Sequence, residues 1–225
     1  MEYQLSLVET RILGSLIEKD LATPEYYPLT LNALTAACNQ KSNREPVLEL
    51  SEREVQEGLD SLVAQHLVWQ RSSFGSRSAK YAHKFADTLS RTIEFERAEL
   101  ATLAVLMLRG PQTPGEIRVR SGRMHEFASV ADVETILRKL ASCGDGPYVV
   151  ELGRQPGQRE RRWGQLFSGP ISDSAPSAPH VGEAEELGTA EPGISAGLDS
   201  RVAYLEAELA QLKAIVADLK SRMGP

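Results

Sequence analysis

The chain has few of the residues that build covalent frameworks or catalytic centres. Cys38 and Cys143 are its only cysteines; they stand far apart, with no C-x-x-C pair and no histidine at ligand spacing. Neither a disulfide framework nor a zinc site is suggested, and both thiols read as small buried hydrophobes. Histidine is limited to His66, His83, His125 and His180, none of them in a recognised motif. A Walker loop, a G-x-S-x-G elbow, an H-E-x-x-H helix and a dinucleotide fingerprint are all missing, so neither an enzyme nor a cofactor or metal is expected. No run approaches the roughly 18 consecutive apolar residues of a membrane helix. The start of the chain, with Glu2 and Glu9, lacks the basic and then apolar regions of a signal peptide. The expected location is the cytoplasm, without membrane attachment.

Positive charge in excess is missing as well. The net charge is -6, the wrong sign for a protein coated in phosphate contacts, so any nucleic-acid surface must be a local patch. Residues 1–87 carry nine Lys/Arg against twelve Asp/Glu, residues 88–168 twelve against ten, and residues 169–225 four against nine. The middle of the chain is slightly basic and the end is strongly acidic.

What is present is a repeat. Leu13, Leu16 and Ile17 match Leu103, Leu106 and Met107 at an offset of 90, and Val68, Tyr81 and Phe85 match Val150, Trp163 and Phe167 at an offset of 82. Each copy predicts helix, helix, helix, strand, strand. In the first copy, Ser6 and Glu9 form a capping box on a helix over 6–19 whose apolar stripe includes Leu7, Val8, Ile12 and Leu13. Thr30 caps a second helix, and Ser51 with Glu54 opens a third that ends near His66. Strands are predicted over 67–70 and 79–85, joined by a loop over 71–78. In the second copy the helices run over 95–108, from the cap Thr113, and from the cap Ser129 to Ala141; the strands cover 148–152 and 162–167, with a loop over 153–161. The fold class is therefore mainly α with small β ribbons (α+β). Three helices closed by a ribbon form the winged-helix pattern, so residues 1–87 and 88–168 read as tandem winged-helix domains.

The run Thr23-Pro24-Glu25-Tyr26-Tyr27-Pro28-Leu29, continued from Asn32-Ala33-Leu34 through Cys38-Asn39-Gln40-Lys41-Ser42-Asn43-Arg44-Glu45-Pro46-Val47, resembles the signature of the YceH-like family of uncharacterised bacterial proteins. Thr113-Pro114-Gly115-Glu116-Ile117-Arg118 and Leu166-Phe167-Ser168-Gly169 fit it too, so the resemblance covers residues 1–169. It implies a tandem winged-helix fold and a bacterial cytosolic setting. With no activity assigned to that family, it supplies no functional residue.

Residues 169–197 are rich in Pro, Gly, Ser and Glu and are expected to form a disordered linker. Over residues 198–223, Val202, Leu209 and Val216 fall at heptad position a and Leu205, Leu212 and Leu219 at d. β-Branched a with leucine d favours a parallel two-stranded coiled coil, and Arg201 would face Glu206 of a second copy. Homodimerisation through this helix is expected.

The candidate nucleic-acid-binding residues are the cations of the two ribbons and of the second copy's helices. Arg71, Arg77, Lys80 and Lys84 have no acidic residue between them, and Arg154, Arg159, Arg161 and Arg162 have only Glu160. Arg118 and Arg120 in the second helix, and Arg138 and Lys139 in the third, extend the set. Such cations suit phosphate contacts, although a charged hairpin that keeps an exposed ribbon from aggregating would carry them too. Against DNA, the third helix of the first copy carries Glu52, Glu54, Glu57 and Asp60 against Arg53 alone. The polar turn Asn39–Pro46 reads as turn and capping chemistry, with Arg44 paired to Glu45 or another nearby acid. The expected function is a dimeric, transcription-regulator-like binder of double-stranded DNA. The alternative is a winged-helix module that docks a protein partner without binding DNA.

Overall fold

The computed structural model describes residues 4–71, 79–85, 95–154 and 160–171. Arg77, Arg159, the residues on both sides of the boundary expected after position 87, and the heptad segment lie outside the described residues. Everything described belongs to one compact unit, Met1–Pro176.

The first half runs α1 (Leu7–Ala22), a single 3-10 turn (Pro24–Tyr26), β1 (Leu29–Thr30), α2 (Leu31–Cys38), α3 (Glu52–Ala64), β2 (Val68–Arg71) and β3 (Lys80–His83). The second half runs α4 (Arg97–Arg109), α5 (Pro114–Arg120), α6 (Val130–Ala141), β4 (Val149–Glu151) and β5 (Trp163–Gln165). This is a mixed fold of helices and small antiparallel sheets.

The helix starts follow the caps. Ser6 with Glu9, Ser51 with Glu54, Thr113 with Glu116 and Ser129 with Asp132 all close capping boxes, each satisfying two otherwise unpaired N–H groups. In the sheet of the first half, β3 is central: Leu29 faces Tyr81 across β1–β3, and Val68 faces His83 across β2–β3. In the second half Gln112 pairs with Trp163 and takes the place that β1 occupies in the first. The sequence pattern predicted two strands per copy; the third partner is only one or two residues long and has no periodicity to read.

The two halves share a core. From Glu9 to Ile17 and from Glu99 to Leu108 every residue of α1 and α4 is buried, as befits helices covered on all sides. They run antiparallel: Arg97 at the start of α4 donates to the carbonyl of Leu21 at the end of α1 (2.7 Å), while Gly14 lies against Met107 and Leu108. A cluster of Phe85, Phe95, Tyr148 and Phe167, with ring centroids 4.9 to 5.6 Å apart, closes the core between the halves. The backbone N–H of Leu5 donates to Phe167 at 2.7 Å.

Three expectations need correction. Leu7, placed on the apolar stripe of the first helix, is 54% exposed because it precedes the part of α1 that the other helices cover. Cys143 is exposed at the turn after α6, and only Cys38 is buried, where loss of solvent pushes its thiol up to about 11. Arg71, expected in the loop, is the last residue of β2 and pairs with Lys80.

Candidate nucleic-acid interface

The register of β2 and β3 sorts the first ribbon into two faces. Val68, Tyr81 and His83 point into the core; Trp69, Arg71, Lys80, Ala82 and Lys84 share the other face by strand alternation. Lys84 Nζ sits 4.3 Å from the centre of the Trp69 ring and the Arg71 guanidinium 6.0 Å from it, both on the negative π face. Arg71 and Lys80 stand directly opposite each other across the strands, a repulsive pairing that an anion between them would relieve. No carboxylate bonds to Arg71, Lys80 or Lys84 among the described residues.

The back of the ribbon is fixed by buried polar contacts. The N–H of His83 donates to Tyr27 Oη (2.6 Å), and that of Phe85 donates to His83 Nδ1 (3.2 Å). Nδ1 is therefore an acceptor, so Nε2 carries the proton and faces Asp20 at 3.1 Å. Burial raises the Tyr27 phenol well above its ordinary range, keeping it neutral.

The cations of the second half are largely spoken for. Arg138 pairs with Glu134 at 2.7 Å and Arg161 with Glu151 at 2.8 Å. Lys139 bridges Glu96 (2.8 Å) and Glu99 (3.0 Å), which raises its pKa. Arg118 donates to the carbonyls of Phe127 and Ala128, both at 3.3 Å. Arg120 and Arg162 both face Glu116, at 3.5 and 3.8 Å. Arg154 is exposed and has no ion pair among the described residues. An open groove of about 420 Å³ lies between α6 and the β4–β5 ribbon, floored by Pro114, Val130 and Trp163 and rimmed by Arg138, Arg154 and Arg161 alternating with Glu134, Glu151 and Glu160. Its charges balance, so it is not an anion-attracting surface.

The turn Asn39–Pro46 is a scaffold. Asn39 exchanges two hydrogen bonds with the backbone of Leu50 (2.7 and 2.8 Å), and Asn43 adopts a left-handed φ of 60°. Arg44, fully buried, grips Glu18 of α1 with both terminal nitrogens at 3.1 and 2.6 Å and donates to the carbonyl of Ala37 through Nε (3.1 Å). Arg11 reaches the carbonyls of Cys38 and Pro46. The N–H of Glu45 donates to Leu108 at 2.8 Å, and Asn43 accepts from Arg109, so the turn also fastens the first half to the second. The acid that Arg44 finds is Glu18, one helix away.

The outward side of α3 carries Glu52, Glu54, Glu57 and Asp60, with Arg53 held by Glu57 at 2.9 Å. Sequence reasoning missed Trp69 as the centre of the basic face; its signal is the alternation W-x-R on β2 opposite K-x-x-x-K on β3. It also missed Arg109, which a single positive charge at a helix end does not distinguish from a dipole-compensating one.

A family model described as a protein of unknown function, DUF480, matches residues 5–158. The chain is also 45% identical over 225 residues to proteins described as UPF0502 protein YceH from Salmonella paratyphi B, Salmonella agona and Salmonella typhimurium, covering 100% of this chain and of each relative.

Proposed function

The chain belongs to the DUF480 family of proteins of unknown function, and we propose that it is a homodimeric DNA-binding protein of two winged-helix modules that grips duplex DNA through the first ribbon. The order helix, short strand, helix, helix, ribbon in both halves supports the winged-helix reading. The observation that carries the DNA reading is the outer face of β2–β3, where Arg71, Lys80 and Lys84 gather about Trp69 with no carboxylate partner among the described residues. With two cations on the Trp69 ring, its face is not free to stack a base, which favours phosphate contact along a duplex over a single-strand platform. The carboxylates of α3 keep that helix out of the major groove, so affinity comes from the ribbon and sequence preference is weak. Heptads over 198–223 would pair two such bodies. No catalytic step belongs to this reading.

The test is fluorescence anisotropy of a random-sequence duplex titrated with full-length protein at two salt concentrations. Binding should weaken steeply with salt. The triple variant Arg71→Gln, Lys80→Gln, Lys84→Gln should lower the log–log salt slope by about 2–3, roughly 0.9 per lost phosphate contact. Unchanged binding in the triple variant would remove the ribbon from the interface.

One observation favours a second reading. The exposed acidic side of α3 is a coherent surface of one sign, suited to a basic partner protein. Glu57→Lys with Asp60→Lys should then abolish capture of that partner while leaving duplex binding intact or improved.

A further inference from the structure

Glu116 has more cations around it than it can neutralise. Its Oε2 is committed to the N–H of Thr113 at the start of α5 (2.8 Å). Only Oε1 remains for Arg120, at 3.5 Å, and Arg162, at 3.8 Å, both longer than the roughly 2.7–2.9 Å of a charge-assisted hydrogen bond. Arg120 Nη1 and Arg162 Nε are buried with no hydrogen-bond partner among the described residues. Arg109, at the end of α4, faces the Asn39–Pro46 turn, where its Nη2 donates to the amide oxygen of Asn43. Burial and then the charge of Arg120 push Arg109 below the ordinary arginine range, against the opposing charges of Glu45 and Glu18.

Buried donors without acceptors are rare, and an unbalanced buried cation is costly unless something compensates it. The side chains of Arg120 and Arg162 keep 19% and 13% exposure, so an edge of the cluster meets solvent. We infer that Arg120 and Arg162 form an anion site between α5 and the start of β5 that takes a phosphate group. Phosphate fits better than a carboxylate because its several oxygens can accept from more than one guanidinium fork at once. The phosphate comes either from a nucleic-acid backbone or from a free phosphorylated small molecule. The site lies on other residues than the Trp69 ribbon and does not depend on the DNA reading.

The experiment titrates full-length protein with inorganic phosphate against chloride at equal ionic strength and follows the melting temperature. The wild type should be stabilised as mass action requires, and Arg162→Gln should bind phosphate at least tenfold more weakly. Glu116→Gln keeps an acceptor for the capping box but removes the competing charge, so it should bind phosphate severalfold more tightly, which a purely structural role would not produce. No phosphate-dependent shift in the wild type, an unchanged response in Arg162→Gln, or a weaker one in Glu116→Gln overturns the site. The source is decided in the same series: if duplex displaces phosphate and Arg162→Gln weakens duplex affinity, the site takes a backbone phosphate; if duplex binding is untouched while phosphate binding is lost, it takes a free ligand. The ribbon triple variant should keep its phosphate response, so either idea can fail without the other.

Discussion

At the scale of residues, buried charge is tolerated only where hydrogen bonds surround it. Glu9 shows this at the start of α1. Burial by itself raises its pKa, but bonds from Ser61 Oγ (2.6 Å), the N–H of Ser6 (2.7 Å) and Gln65 (3.1 Å) outweigh that and hold the carboxyl below its ordinary value. A folded pKa below the unfolded one means that the stabilisation is complete above the unfolded carboxylate range and is lost as pH falls through the folded value. Glu9→Gln should therefore cost about 1–2 kcal/mol at neutral pH, and urea titrations should show the gap closing on acidification; a gap independent of pH would mean that charge has no part in it. The Arg44–Glu18 pair is the stronger case. Glu18→Ala should cost about 3–5 kcal/mol, because it leaves the buried Arg44 charge uncompensated; Arg44→Ala should cost less, because Glu18 is partly exposed and keeps Lys19 at 3.5 Å, and the double variant should cost well under the sum. Additive losses in a double-mutant cycle would show that the pair is not coupled.

At the scale of elements, the distance of closest approach matters less than what is being approached. An alanine at position 14 would put its Cβ 2.9 Å from Met107 Cβ and 3.1 Å from Leu108 Cγ, atoms tied closely to the backbone of α4. At position 58 the contact is shorter, 2.7 Å, but is made with Ile12 Cδ1, a terminal methyl that can rotate away. Helix propensity favours alanine by about 1 kcal/mol at both sites, and overpacking costs about 1–3 kcal/mol where nothing yields. Gly14→Ala should be destabilising and Gly58→Ala close to neutral in chemical denaturation; the reverse order would mean that α1 and α4 slide apart easily. These elements were legible in the sequence where a local rule operates. The S-x-x-E and T-x-x-E boxes mark the starts of α1, α3 and α5, and the offset of 90 between α1 and α4 reappears as Glu9 and Glu99, each at the third position of its helix and each reaching the third helix of its own half, through Ser61 and Lys139. β1 and the Gln112 bridge escaped because one or two residues carry no period. The candidate site was legible as a set of cations but not as a surface: charge counts do not distinguish Arg71, which is left facing solvent, from Arg161, which Glu151 neutralises across the ribbon.

At the scale of the molecule, the apolar pattern of the first helix gave one stripe, whereas α1 is buried on every side from Glu9 to Ile17 because α4 covers what α3 leaves open. The halves are therefore neighbours that complete each other's cores. Their junction is fastened along its length: Thr10 to Ser168 (2.9 Å), Glu45 to Leu108 (2.8 Å) and Arg97 to Leu21 (2.7 Å). Removing the second half would expose the side of α1 around Leu13 and Gly14 and strand the ring of Phe85 without Phe95 and Phe167. At about 25 cal/mol per Å² of apolar surface, such a loss is comparable to the whole stability of a domain this small. Full-length protein should accordingly show one calorimetric transition for the compact unit, with calorimetric and van't Hoff enthalpies in agreement. Residues 1–87 alone should give a poorly dispersed amide spectrum and no cooperative melt. A well-dispersed spectrum from that fragment would make the first half an autonomous domain, and the first ribbon could then change its orientation relative to the pair of Arg120 and Arg162. With one transition the two are held in fixed relation, so a duplex touching both must meet them at a set spacing, and lengthening the segment between β3 and α4 should leave its affinity unchanged.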